Sequence, residues 1–566
     1  MNRYLKFFLY VFLSLFFIDA NSKDNKYGGT IVLYTSSDPK SFNPIVAKET
    51  STTTITSLIF EGLTTINPIT LEVEPNLASN WEVDSTGTEW IFHLRKDIKW
   101  SDGVEFKSDD VVFTFNELIY NKDVMTSYAD IFTIEGKKIK VEKIDDYTVK
   151  FTLPFKFAPF LKTLTCEILP KHKLENVVKD LKFNSYWGQD TKLEDIVGTG
   201  PFKLEKYLPS ERIELTRNKY YWKKSKEQEQ LPYLDRVIFL IIKNPDLALL
   251  KFQAKEIDYL ALRGEDFSIL KPKEKELNFK IYNTGPSLGI NFLVFNQNSD
   301  INPSTKKTYI DERKLRLFKN LNFRKAIAHS IDRKSIIDIV MNGFGTVCDS
   351  PLTTSSGFFY NPNVKKYEYD LEKARNLLKD IGIYDRNKDK KLDYIDGTQV
   401  EFNLFTNSEN TERVKIANII RKDLETLGFK VNFIPLAFNQ LVSKLDSTYD
   451  WDCVLIGLTG SIDPHFGSNV WKSSGHLHVW HPRQREPDTD WEKEIDKIFD
   501  EAVKILDEKE RKILYDRFQE IVAENLPVIF TVVSYNLFAV RDRFGNLKPT
   551  PYGGAFHNIE EIYIKD

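Results

Sequence analysis

Cysteine is scarce in this chain. Its 566 residues hold only Cys166, Cys348 and Cys453. Three thiols cannot build a disulfide scaffold, so stability must come from apolar cores. One disulfide with a leftover thiol, and three unpaired buried thiols, are both open from sequence. Glycine and proline are modest at 25 and 23, which excludes collagen-like and low-complexity classes. An excess of one charge is missing too. Lys and Arg number 79 and Asp and Glu 82, for a formal net charge of −3. No strong global field favours nucleic acid or an anionic membrane. Past the N-terminus no apolar run approaches membrane-span length without charges. What is present is globular material, 41% hydrophobic with 9 Trp, 25 Tyr and 41 Phe, which rules out full disorder. At about 150 residues per unit, the length suggests about three or four domain-sized units.

The N-terminus points to a compartment. Arg3 and Lys6 precede residues 7–18, an apolar run with one polar member, Ser14. At ~1.5 Å per residue that run is too short for a ~30 Å hydrocarbon core. With Asp19, Ala20 and Asn21 after it, the segment reads as a secretory signal, residues 1–20, cut after Ala20. An uncleaved anchor is the alternative. No cysteine lies near the predicted cut, which argues against a lipid-anchored form. The mature chain is expected to be soluble, exported and periplasmic.

Hydrophobic periodicity predicts alternating elements. Strands are expected at 30–34, 90–99, 146–153, 202–207, 213–216 and 237–243, and a helix at 111–119. The second half is more helical. Residues 323–341 carry a helical pattern interrupted near Asp332 and closed by Gly343. Asp370 can cap a helix through Ile381, with Gly382 just past its end. Residues 413–427 form an amphipathic helix stopped by Gly428, and a strand follows at 430–435. That helix–Gly–strand unit suggests α/β layering. Residues 500–525 read as one long amphipathic helix.

The motifs then become specific. Residues 75–112 read PNLASNWEVDSTGTEWIFHLRKDIKWSDGVEFKSDDVV. Further segments are IFEGL at 59–63, GTGPFKLEKYLPSERIELTRNKYYW at 198–222, and LNFRKAIAHSIDRKSIIDIVMNG at 321–343. In order and spacing these closely resemble the family 5 extracellular solute-binding proteins, the peptide-, dipeptide- and nickel-binding components of ABC importers. The resemblance covers about residues 27–560. It implies a two-lobed α/β fold of the periplasmic-binding-protein type II (venus flytrap) kind, with a small α/β domain inserted in lobe I. Mapped here, lobe I is 21–46, 196–286 and 531–566, the inserted domain is 47–195, and lobe II is 287–530. It also implies a peptide ligand, most simply an oligopeptide, an inner-membrane permease as partner, and a monomer. No nucleic acid and no required cofactor are expected.

The resemblance assigns candidate ligand-binding residues. Lys48, Glu49 and Thr50 should face the cleft, and Tyr128 lies where related proteins place a cleft aromatic. The segment 457–471, GLTGSIDPHFGSNVW, contributes Leu458, Thr459, Gly460, Ser461, Asp463 and Trp471. In many peptide-binding relatives this loop carries an aspartate for the α-ammonium. Here Ser461 stands nearest that place, and a serine supplies no charge. Either Asp463 or Glu49 takes the role, or the ligand lacks a free N-terminus there.

Two features hint at metal. His465, His476, His478 and His481 cluster in sequence, with His476 and His478 on one strand face if extended. Residues 385–396 place Asp385, Asn387, Asp389, Lys391, Asp393 and Asp396 in an EF-hand-like register for structural calcium. Lys390 replaces the usual glycine at the sixth position and Asp396 the bidentate glutamate; a polar turn is the competing reading. Catalysis has little support. No Gly-x-Ser-x-Gly, His-Glu-x-x-His or Cys-x-x-Cys occurs. Within the binding class, a nickel chelate, haem or an oligosaccharide are the alternatives to peptide. A secreted hydrolase, or an exported chaperone or adhesion protein using the same cleft, are the readings from other classes.

Overall fold

The computed structural model describes residues 26–47 and 49–565. The predicted signal segment 1–20 and Lys48 lie outside them. The most buried sheet has five strands, in the order Lys430–Leu436, Glu401–Asn407, Cys453–Leu458, Ile290–Phe295 and Ile529–Phe530. The first two pairings are parallel and the last two antiparallel. Alternation along the strands sorts side chains to two faces. Leu293, Phe295, Leu404 and Leu455 enter one core, and Phe292, Val294, Phe405 and Val454 the other. Helices Leu371–Asp380 and Thr411–Leu427 cover the first face, and Asp490–Ala502 and Glu508–Asn525 the second. Both faces being covered, the central strands read as near-continuous apolar runs.

The other lobe has more sheets. One runs Thr30–Thr35, Arg236–Ile241, Arg212–Arg217, Phe202–Leu208, with the first pair parallel. A second is built on Val532–Arg541, flanked by Tyr259–Ala261 and Phe279–Pro286 and met by Gly345–Val347. A third, antiparallel, orders Ala78–Val83, Glu89–Leu94, Thr148–Thr152, Lys140–Asp145. One core joins Ile31, Val237 and Phe239 of the first to Phe92, Val149 and Phe151 of the third. The architecture is thus α/β with two lobes.

The chain passes between the sheet built on Val532–Arg541 and the five-stranded sheet at 286–290 and again at 530–532, side by side. The two crossings are hydrogen-bonded to each other. Ser287 N–H donates to Ser534 O at 2.9 Å, and Thr531 N–H to Asn291 O at 3.0 Å. A separate seam joins 130–162 to 463–508. Ala158 N–H donates to Val503 O at 2.7 Å, His476 sits on Asp130, and Lys504 on Glu135.

Local signals account for most boundaries. Asp332 accepts from Ser335 N–H and divides helices Leu321–Ser330 and Arg333–Ile339. Asp370 accepts from Lys373 N–H at the start of Leu371–Asp380. Three expectations are corrected. The long helix over 500–525 is two helices, broken after Ala502 and restarted at Glu508 by the Asp507 cap. The helix over 111–119 is an α-helical Ser108–Phe113 continued by a π-helical Thr114–Ile119. Residues 476–482 form turns, so His476 and His478 share no strand face. The cysteines, open from sequence, are three free buried thiols. Among the described residues no helix is long and apolar enough to cross a membrane.

Gly428 ends helix Thr411–Leu427 at φ +111°, and a Cβ there would meet Lys390 O at 2.8 Å. Gly428→Ala is expected to lower stability by about 1–3 kcal/mol through left-handed strain, read as a fall in Tm.

Candidate functional site

A cavity of about 620 Å³ lies beside the two crossings. Its floor and walls come from residues 287–291, 457–460 and 534–538, with Thr50, Tyr259 and Tyr552 at other sides. Strand pairing explains the open edge. The ladder between Ile290–Phe295 and Cys453–Leu458 ends at the pair Ile290–Leu458. Beyond it Thr459 and Gly460 are exposed, and their main-chain N–H and C=O groups have no hydrogen-bonded partner among the described residues. Gly460 allows that path, since a Cβ there would lie 1.9 Å from Leu288 O.

Arg413 is the one charged side chain among the described residues lining this cavity. It stands in the first turn of Thr411–Leu427, where Asn410 accepts the Arg413 N–H at 2.8 Å. Its guanidinium is held by two amide oxygens. Nη1 donates to Asn407 Oδ1 at 2.7 Å; Nε and Nη2 donate to Asn291 Oδ1 at 3.2 and 2.9 Å. One N–H on each terminal nitrogen is left over. Among the described residues no carboxylate lies within ion-pair distance. Burial pushes its pKa down to about 10, with neighbouring Glu412 opposing the shift, so it stays protonated at neutral pH. Gly457 makes the room, as a Cβ there would sit 2.7 Å from Nη2. Glu412 itself accepts from Ser534 Oγ at 2.7 Å, and burial raises its pKa. A forked cation with free donors beside unpaired main chain suits a carboxylate-bearing, extended solute.

A model of the bacterial extracellular solute-binding proteins, family 5, middle region, matches residues 72–477. The chain belongs to this family. The oligopeptide-binding protein AppA of Bacillus subtilis (strain 168) is 29% identical over 548 residues, covering 95% of this chain and 92% of AppA. Heme-binding protein A of Haemophilus influenzae is 25% identical over 568 residues, covering 96% and 93%. The structure of AppA from Bacillus subtilis in complex with a nonapeptide matches with a TM-score of 0.81 at 27% identity, covering 96% of this chain and all of that one. Relatives with such different ligands leave the solute of this family 5 member to be argued from its own cavity.

The structure brings Thr50, Leu458, Thr459 and Gly460 to the cavity. Glu49 precedes helix Thr50–Thr56 and accepts from Thr52 Oγ1 at 2.7 Å, outside the lining. Ser461 lies past the lining, and its carbonyl accepts from Ser356 Oγ at 3.3 Å. Three candidates lie outside the lining. Tyr128 donates its hydroxyl to Glu167 Oε2 at 2.6 Å, away from the cavity. Trp471 is buried against Trp480 and Phe518. Asp463 is fully buried, and Arg511 Nη2 reaches its Oδ1 at 2.9 Å while Nη1 reaches Oδ2 at 3.1 Å. Lys162, across the seam, lies 3.6 Å from the same carboxylate.

The residues expected to meet metal have other partners in the structure. His465 Nε2–H donates to Ile131 O at 2.9 Å, and burial pushes its pKa down to about 4. His478 Nδ1–H donates to Val470 O, and His481 lies between Asp300 and Asp488. The four rings thus serve separate contacts. In the 385–396 loop, Asp385 accepts from the N–H groups of Asp389 and Lys390, Asn387 from Asp389, and Asp389 from Lys391. Asp393 accepts from Arg386 N–H, and Asp396 from Thr398 N–H and Arg313. These oxygens hold the loop's own backbone. Among the described residues no group of three or more His, Cys, Asp or Glu is arranged for a metal ion.

Sequence reasoning missed Arg413. The available signal was a broken local rule, a cation in the first turn of a helix, at the positive end of its dipole.

Burial alone would raise the pKa of Asp463, but Arg511 holds it below the usual 3.8. The pair therefore stabilises fully above that value and loses its contribution as pH falls through the lower folded value. Asp463→Asn leaves the Arg511 charge uncompensated and is expected to cost about 3–5 kcal/mol near pH 7. Thermal unfolding of both proteins across the acid range should show the gap narrowing at low pH.

Proposed function

We propose that this chain is a periplasmic solute-binding protein that captures peptides between its lobes and delivers them to an ABC importer permease. The observation that carries the reading is Arg413, a half-buried cation with no ion pair among the described residues, beside main chain at Thr459 and Gly460 that has no hydrogen-bonded partner among them. An extended peptide laid along 458–460 would continue the ladder through main-chain hydrogen bonds, which ignore side-chain identity. Its C-terminal carboxylate would complete the fork of Arg413. The similarity to an oligopeptide-binding protein along nearly the whole chain supports this.

In this reading lobe I comprises 21–46, 196–286 and 531–566, carries the inserted domain 47–195, and closes against lobe II, 287–530. Ligand favours closure only by binding the closed form more tightly. The protein is secreted by a cleaved signal of residues 1–20, acts as a monomer, and performs no catalytic step. Glu49 stands at the N-cap of the helix that begins at the lining residue Thr50.

Native mass spectrometry of the mature protein is expected to release a mixture of short peptides on denaturation. A single non-peptide mass would overturn the peptide reading in favour of a nickel chelate, haem or an oligosaccharide. For peptides so identified, Arg413→Gln should weaken binding at least about tenfold by calorimetry. Arg413→Lys should retain part of the affinity, since it keeps charge but loses the fork. Gly457→Ala should weaken binding by crowding the guanidinium while Arg413 remains in place.

A further inference from the structure

The charge of the cavity is one-sided. Arg413 is its single charged lining residue among those described, and it is a cation. The carboxylates nearest in sequence to the lining are themselves outside it, and each already has a partner. Asp463 is buried on Arg511 and Lys162. Glu412 accepts from Ser534 Oγ. Glu49 accepts from Thr52 Oγ1 and stands outside the lining.

A peptide with a free amino end brings an ammonium group as well as a carboxylate. Inside this cavity that ammonium would be repelled by Arg413 and would give up hydration without meeting a lining counter-charge. Of the lining aromatics, Tyr259 and Phe538 pack against one another with centroids 6.0 Å apart; a ring face offers a cation much less than a carboxylate does. A neutral amide N–H fares differently. It needs one acceptor, and among the described residues the carbonyls of Thr459 and Gly460 have no partner.

We propose that the cavity selects solutes that are anionic where they are buried: peptides whose carboxylate lies on Arg413 and whose amino end is acylated or remains outside. This rests on the peptide reading above and narrows its substrate class. Arg413 then acts as a specificity residue, rejecting a buried ammonium as well as holding the carboxylate.

The test uses the mature full-length protein, stripped of bound solute, and one mixed pool of tripeptides and tetrapeptides in three forms. These are free, N-acetylated and C-amidated. Binding is measured by calorimetry and by mass spectrometry of retained species. Acetylation is expected to leave affinity within about threefold or to improve it, whereas amidation weakens it at least about tenfold. Arg413→Gln, checked for a native unfolding transition, should abolish the preference for the free carboxylate. If the free pool binds and acetylation weakens it more than about threefold, this inference fails while the peptide reading stands. If amidation is harmless, the anchoring on Arg413 fails. If no pool binds in any form, the peptide reading falls and this inference with it.

Discussion

The site is organised around a half-buried guanidinium set among neutral oxygens. Arg413 stands between the ends of two strands and the start of a helix, and among the described residues its guanidinium is held by Asn291 and Asn407. Amide oxygens satisfy donors but leave the charge uncancelled. The local sequence accommodates this arrangement. Gly457 clears a side chain from its path, Asn410 caps the helix so that its first turn stays intact, and the parallel crossover anchors both ends of the strand–helix–strand unit.

A second buried charge shows the contrast. Asp463 and Arg511 neutralise one another inside lobe II, and Lys162 approaches from the other side of the seam. The Asp463–Arg511 pair is closed on itself, so it can organise the interface between 130–162 and 463–508 but has little left for a solute. Together with the Ala158–Val503 backbone bond and the His476–Asp130 contact, it ties the two sides at a distance from the cavity. Charges are paired within the seam, whereas the one charge lining the cavity has no ion pair among the described residues.

Much of the fold was legible because its signals are local. Asp332 and Asp370 cap helices where the pattern placed them, and Gly428 stops one. Strand Ile290–Phe295 was not legible: covered on both faces, INFLVF shows no alternation to separate it from a buried helix. The break between Ala502 and Glu508 was invisible because apolar spacing persists on both sides of it. The site was half legible. Thr50 and residues 458–460 came from the resemblance and do reach the cavity. Asp463 misled because its partner stands 48 residues later, on a helix face otherwise given to core packing. Trp471 and Tyr128 misled because an aromatic in a loop looks alike in sequence whether it meets ligand or neighbours.

The paired crossings have a mechanical meaning. Two strands bonded edge to edge, Ser287 to Ser534 and Thr531 to Asn291, make a flat strap between the lobes. A strap flexes across its thin direction but resists twisting and in-plane shear, because those motions would stretch its rungs. Of the relative movements of the two bodies, swinging about one axis is the one such a strap resists least. The cavity lies against that axis, where a small displacement at the solute becomes a long arc at the far rims. A molecule held there works as if at the pivot of a pair of tongs, and what travels furthest is the surface most distant from it.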